Sequence, residues 1–223
     1  EEPEGESTSW YASFWSFGAE YLRERFGDEW CLSPEQSISL HTGDWTVPKQ
    51  LLVRSPRGGN KPTALLHGTS IFDVRLELPD PADIEVRNDI RIISLPAALI
   101  ACAPSHFAAH PMTLRAAFSM VPDASDVLGR LLEGGHSKIA GRIAGAFRNI
   151  GRVQIADNIV GTMQAAGYAV TEHDPFTDQA PVSFSPRETS PYVNRLRMGW
   201  STMREQILSV FPAPPGMPTD ADA

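Results

Sequence analysis

The apolar residues of this chain change period near Pro96, and that change divides the fold into a part that contains the strands and a helical part that follows it. Upstream, Phe72, Val74, Leu76 and Leu78 alternate with Asp73, Arg75 and Glu77. That is the pattern of a strand with one solvated face, and it predicts a strand over 71–78. A second strand is expected at 50–54, followed by a turn through Ser55, Pro56, Arg57, Gly58, Gly59 and Asn60. Residues 84–86 and 90–93 read as a hairpin across Asn88-Asp89. Downstream of Pro96 the spacing predicts helices at 96–102, 112–120, 124–133, 137–149, 154–166 and 191–211. The expected class is therefore α+β. An N-terminal α/β module with a small, mostly antiparallel sheet would precede an all-helical subdomain and a long C-terminal helix.

Two more helices are expected before the strands. Trp10, Phe14, Phe17 and Tyr21 share one helical face, with Tyr11, Trp15, Leu22 and Phe26 beside it, so a helix should run from an N-cap at Ser9 to about Phe26. A face so wide and aromatic must pack deeply or meet a partner. Ser33-Pro34-Glu35-Gln36 reads as a capped helix start, with Gln36 closing a capping box and the helix ending near Gly43. Residues 1–8 are polar and read as a disordered tail. The α/β module is then expected over 9–125 and the helical subdomain over 126–180. Residues 190–223 read as the long helix followed by a stiff linker through Pro212, Pro214, Pro215 and Pro218, the sort of segment that leads into a further domain.

Composition narrows the setting. No apolar run approaches the roughly 20 residues of a membrane span, and the acidic start (Glu1, Glu2, Glu4, Glu6) is unlike a secretory signal. Cys31 and Cys102 stand apart among apolar neighbours and read as buried free thiols, so a cytoplasmic protein without a membrane role is expected. Most of the net charge of −8 comes from carboxylates in the two tails, which leaves the body near neutral and does not exclude a local basic surface.

The search for chemistry finds no catalytic set. His106 and His110 form an HxxxH pair, but no Glu follows His106 in the HExxH manner, so no metal and no cofactor are expected. The 54–61 stretch lacks the spacing of a P-loop, and no GxSxG is present. Two basic runs remain. Lys49, Arg54, Arg57 and Lys61 fall in a stretch without Asp or Glu, and could touch nucleic-acid phosphate, an acidic partner or solvent. Arg142, Arg148 and Arg152, with Arg130 and Lys138, accompany a helix–turn–helix order at 137–149 and 154–166, followed by a possible strand at 168–171. A winged-helix DNA reader has this order. The would-be recognition helix, however, offers Gln154, Asp157, Asn158, Thr162 and Gln164 and no basic residue. Ala140, Gly141, Ala144 and Gly145 read as a small-residue face that lets a neighbouring helix approach.

Several long segments carry a family resemblance. They are the run from His136 through Arg152, Ala165-Ala166-Gly167-Tyr168, Asp174-Pro175-Phe176, Leu32-Ser33-Pro34-Glu35-Gln36-Ser37, the run from Val47 through Pro56, the run from His67 through Val74, and Ser190-Pro191-Tyr192-Val193. Together they resemble the N-terminal half of large bacterial Fic proteins. The part at about 9–125 is similar to the antitoxin-like regions of AbiEi transcriptional regulators. The resemblance implies a non-catalytic regulatory or targeting region, with a Fic catalytic domain in cis and DNA or a protein target as partner; a stand-alone AbiEi-like operator-binding regulator is the alternative. The Fic signature HPFxxGNGR is absent, since Asp174-Pro175-Phe176 shares only Pro-Phe with it, and Ser201-Thr202-Met203-Arg204-Glu205 is followed by Gln206 where the inhibitory motif needs Gly or Asn. No catalytic residue is carried over.

Overall fold

The computed structural model describes residues 4–176. The helix expected at 191–211 and the proline-rich linker at 212–218 lie outside the described residues. Helix α1 (Glu4–Phe26) begins upstream of Ser9, which therefore sits inside the helix rather than capping it, and the helix takes in part of the expected tail. Strand β1 (Cys31–Leu32) leads into α2 (Pro34–His41). Ser33 caps α2 as expected, its hydroxyl accepting the Gln36 amide at 3.2 Å. The Ser33 amide donates instead to the Leu52 carbonyl at 3.0 Å, which ties the cap to the sheet.

That sheet is mixed. Strands β2 (Gln50–Ser55), β3 (Pro62–Ala64) and β4 (Ser70–Arg75) join β1 in the order β1-β2-β4-β3. The outer pairings are antiparallel, while the central β2–β4 pairing is parallel from Gln50↔Ser70 to Ser55↔Arg75. Strand β4 stops at Arg75, short of the expected Leu78. Strands β5 (Ile84–Arg87) and β6 (Ile90–Ile93) form the expected hairpin. Asn88 and Asp89 both take positive φ there, 49° and 62°, as a two-residue turn matched to strand twist requires.

Six helices complete the described chain: α3 (Leu95–Ala101), α4 (Pro104–Ala109), α5 (Pro111–Met120), α6 (Ser125–Glu133), α7 (Ser137–Asn149) and α8 (Val153–Ala165). Pro96, Pro104 and Pro111 each stand in a first helical turn, where the missing amide is no loss. The α+β class holds. None of the described helices is long and apolar enough to cross a membrane.

Apolar side chains gather into two cores. In the first, Phe14, Leu22 and Phe26 of α1 cover the sheet face formed by Leu32, Leu51, Val53 and Ile71. In the second, Phe107, Phe118, Phe147, Leu131, Ile143, Ile159 and Met163 pack among α3 to α8. Burying a side chain the size of Phe147 contributes about 2–3 kcal/mol, and its ring meets Phe118 edge-on at 5.0 Å. The cores meet at α2 and β6: Ile38 and Ile93 belong to the helical core, Leu40, Ile90 and Ile92 to the sheet core. The helical core runs without a break through Phe118, Val121, Ala124 and Val127, so packing shows no seam at the expected 125/126 boundary.

Candidate functional site

The first basic run does not form one surface. Lys49 precedes β2 and Arg54 lies near its far end, about 16 Å away at the usual rise per residue. Lys61 stands beside the opposite edge strand, β3. Lys49 and Lys61 are exposed. Acidic groups from elsewhere in the chain neutralise the rest of the loop. Arg57 pairs with Glu29 at 2.8 Å, donates to the Phe26 carbonyl and lies over the Phe26 ring. Asp73, buried in β4, accepts the Gly59 amide at 2.6 Å and Arg25 at 3.0 Å, which fixes the 55–61 turn. Arg54 points to a cavity of about 400 Å³ shared with Asp80, Asp83, Arg130 and Glu133. Arg130 is bound to Asp83 and to the Asp126 carbonyl there, so that cleft carries charges of both signs.

The second run contains the helix–turn–helix corner expected from sequence: α7, a turn at Ile150-Gly151-Arg152 with Gly151 at φ 81°, and α8. Its cations are largely engaged. Arg148 holds Glu172 and Asp157, with the Asp157 contact at 2.7 Å, and these carboxylates push its pKa further upward. Arg152 donates to the carbonyls of Ser119, Val121 and Pro122 at the end of α5. The possible strand at 168–171 does not form. Residues 168–174 instead run as extended coil along α7, so the corner has no wing.

The small-residue face of α7 explains this. Gly141 and Gly145 do not receive a helix. A methyl group at either position would collide with the carbonyl of Thr171 or of His173, so both glycines exist to let the backbone strap lie on the helix. The His173 amide reaches the Gly141 carbonyl at 3.4 Å. Glu172 is tied to Arg148, Asp174 accepts from Asn149 at 2.7 Å, and Phe176 packs on Phe107 beneath Arg115.

Beneath the strap is a cavity of about 550 Å³. Because the strap is extended, alternate residues face it: Ala169, Thr171 and His173 line the cavity, Val170 packs on the helical core and Glu172 turns to Arg148. The opposite wall is the first turn of α7 together with Pro104 of α4 and Arg142. Arg142 is only 8% exposed. Its Nη2 donates to the carbonyls of Ile100 and Cys102 at 3.4 and 3.2 Å, and its guanidinium lies 5.2 Å from the centre of the Phe107 ring. The Nε is buried with no hydrogen-bond partner. No carboxylate pairs with this side chain among the described residues. Burial accordingly pulls its pKa downward.

No family model, curated protein or solved structure matches the chain. The chemistry of these sites therefore rests on their own geometry. The His106 and His110 rings lie 4.4 Å apart, tilted by 35°, and burial together with the neighbouring imidazole lowers the pKa of His106. No group of three or more His, Cys, Asp or Glu side chains able to hold a metal occurs among the described residues. Cys31 and Cys102 are buried thiols as expected, pushed up by desolvation to about 11 and about 12. Sequence reasoning named Arg142 only as one member of a basic run. What it missed is the cavity, which depends on a strap that local periodicity does not encode.

Proposed function

We propose that this chain is a non-catalytic recognition and regulatory region of a Fic-type protein, one that holds a protein partner for a catalytic domain elsewhere in the same polypeptide. The observation that carries this reading is the outward ridge of α1. Phe17 remains 37% exposed and stacks on Tyr21 at 5.9 Å, and the Tyr21 hydroxyl accepts Arg25 at 2.8 Å. Tyr11, on another flank of the same helix, is 45% exposed. Aromatic and arginine side chains held rigid at a surface are the groups that supply binding energy in protein interfaces. A cytoplasmic site of action belongs to the same proposal, and the two free thiols agree with it.

Labelled ATP incubated with the chain and cell proteins leaves all of them unlabelled; robust transfer would remove the non-catalytic assignment. In a parent protein that carries HPFxxGNGR, the double substitution Phe17→Ser and Tyr21→Ser lowers target labelling about tenfold and leaves self-labelling unchanged. Equal target labelling would remove the recognition role. Operator-DNA binding is the second reading, supported by the α7–α8 corner. It requires a salt-sensitive mobility shift that weakens when Lys49, Arg54, Arg57 and Lys61 are changed to Ala. The engagement of Arg57, Arg148 and Arg152 by acids and carbonyls of the same chain counts against it.

A further inference from the structure

We propose that the cavity under the 168–174 strap binds the phosphomonoester of a small organic molecule, with Arg142, Lys138 and the first turn of α7 taking the phosphate. Among the described residues the lining includes Arg142, Lys138 and His173 and no acidic residue. The carboxylates nearby face elsewhere. Glu172 and Asp174 are held by Arg148 and Asn149, and Glu35 accepts the Ala103 amide at 3.0 Å.

The buried guanidinium is the decisive group. A charge removed from water without a counter-ion is unfavourable by several kcal/mol, and two carbonyl acceptors and a ring face compensate Arg142 only in part. Its Nε is buried without an acceptor, and the side chain forms part of the cavity wall. An oxyanion in the cavity would supply the missing counter-charge, and guanidinium–phosphate geometry favours paired N–H···O bonds.

The α7 terminus adds an independent field. Its cap residue, His136, makes no side-chain hydrogen bond to the helix, and its first turn holds no acid. The Ser137 amide donates to the Gly135 carbonyl at 3.0 Å, and the positive dipole end of this thirteen-residue helix stands beside Ser137, Lys138 and Ile139, all of which line the cavity. Lys138 is exposed and forms no ion pair among the described residues.

Size and lining argue for more than a bare ion. About 550 Å³ is in the range of small-molecule sites, and Pro104, Ile139 and Ala169 give the side away from the cations an apolar surface. An organic group attached to the phosphate would cover that surface.

Isothermal titration of the full chain at constant ionic strength tests the assignment with three probes: inorganic phosphate, phenyl phosphate and phenol. Both phosphates should bind saturably, phenyl phosphate about tenfold more tightly, and phenol not at all. Arg142→Met should abolish binding, with folding checked by circular dichroism. Lys138→Ala, at an exposed side chain, should weaken phenyl phosphate binding about tenfold without affecting the fold, and so decides the matter even if Arg142→Met unfolds. Absence of saturable binding by either phosphate, or equal binding by wild type and Lys138→Ala, overturns the site. Phenyl phosphate binding no tighter than inorganic phosphate overturns the organic part of the ligand.

Discussion

Asp73 and Arg142 are the two ionised side chains buried among the described residues, and their surroundings are opposite. Asp73, 1% exposed, has a cation and an amide on one oxygen: Arg25 at 3.0 Å and the Gly59 amide at 2.6 Å. It organises a turn, and the chain itself supplies its counter-charge. Arg142 has carbonyls and a ring but, among the described residues, no carboxylate, and it has a cavity on one side. The first charge is neutralised within the chain, although its Oδ1 makes no hydrogen bond. The second is neutralised only when an anion enters, which separates a charge that maintains the fold from a charge that awaits a partner.

The comparison breaks at different points with different force. Asp73→Ala strands the Gly59 amide and frees Arg25, and should lower stability by about 2–3 kcal/mol, read as a lower denaturant midpoint. Gly141→Ala drives a methyl into the Thr171 carbonyl and should lift the strap, a loss of about 1–3 kcal/mol, with faster proteolysis between Tyr168 and Phe176. Arg142→Met removes a buried charge in exchange for an apolar stem. In phosphate-free buffer it should change stability by less than about 1 kcal/mol, or raise it, against the clear loss at Asp73. Lys49→Ala and Lys61→Ala touch only solvent and should stay within about 0.5 kcal/mol of wild type. A loss at Arg142 as large as that at Asp73 would mean that the two charges play the same structural part.

Local patterns carried much of the fold. The Ser33 cap, the Asn88-Asp89 hairpin and helices α7 and α8 follow from turn chemistry and periodicity, and their bounds in the structure lie close to the expected ones. The parallel β2–β4 pairing was not legible, because which strands pair is decided by the sheet as a whole and the intervening β3 is only three residues long. Helix α4 was missed because six residues between Pro104 and Pro111 offer too little periodicity. The candidate site was half legible. Arg142 looks like its neighbours Arg148 and Arg152 in a basic run, yet α7 is buried continuously from Ala140 to Phe147, so position on the helix gives no hint of which arginine leaves solvent. The glycines at 141 and 145 announce a close approach but not what approaches.

The thermal unfolding midpoint measured against rising inorganic phosphate at fixed ionic strength tests the contrast most directly, since a ligand of the folded state raises stability with the logarithm of its concentration. Wild type should gain stability steadily with phosphate, Asp73→Ala should gain in parallel from a lower start, and Arg142→Met should stay flat. Parallel gains in wild type and Arg142→Met would contradict the claim that Arg142 is a buried cation awaiting an anion.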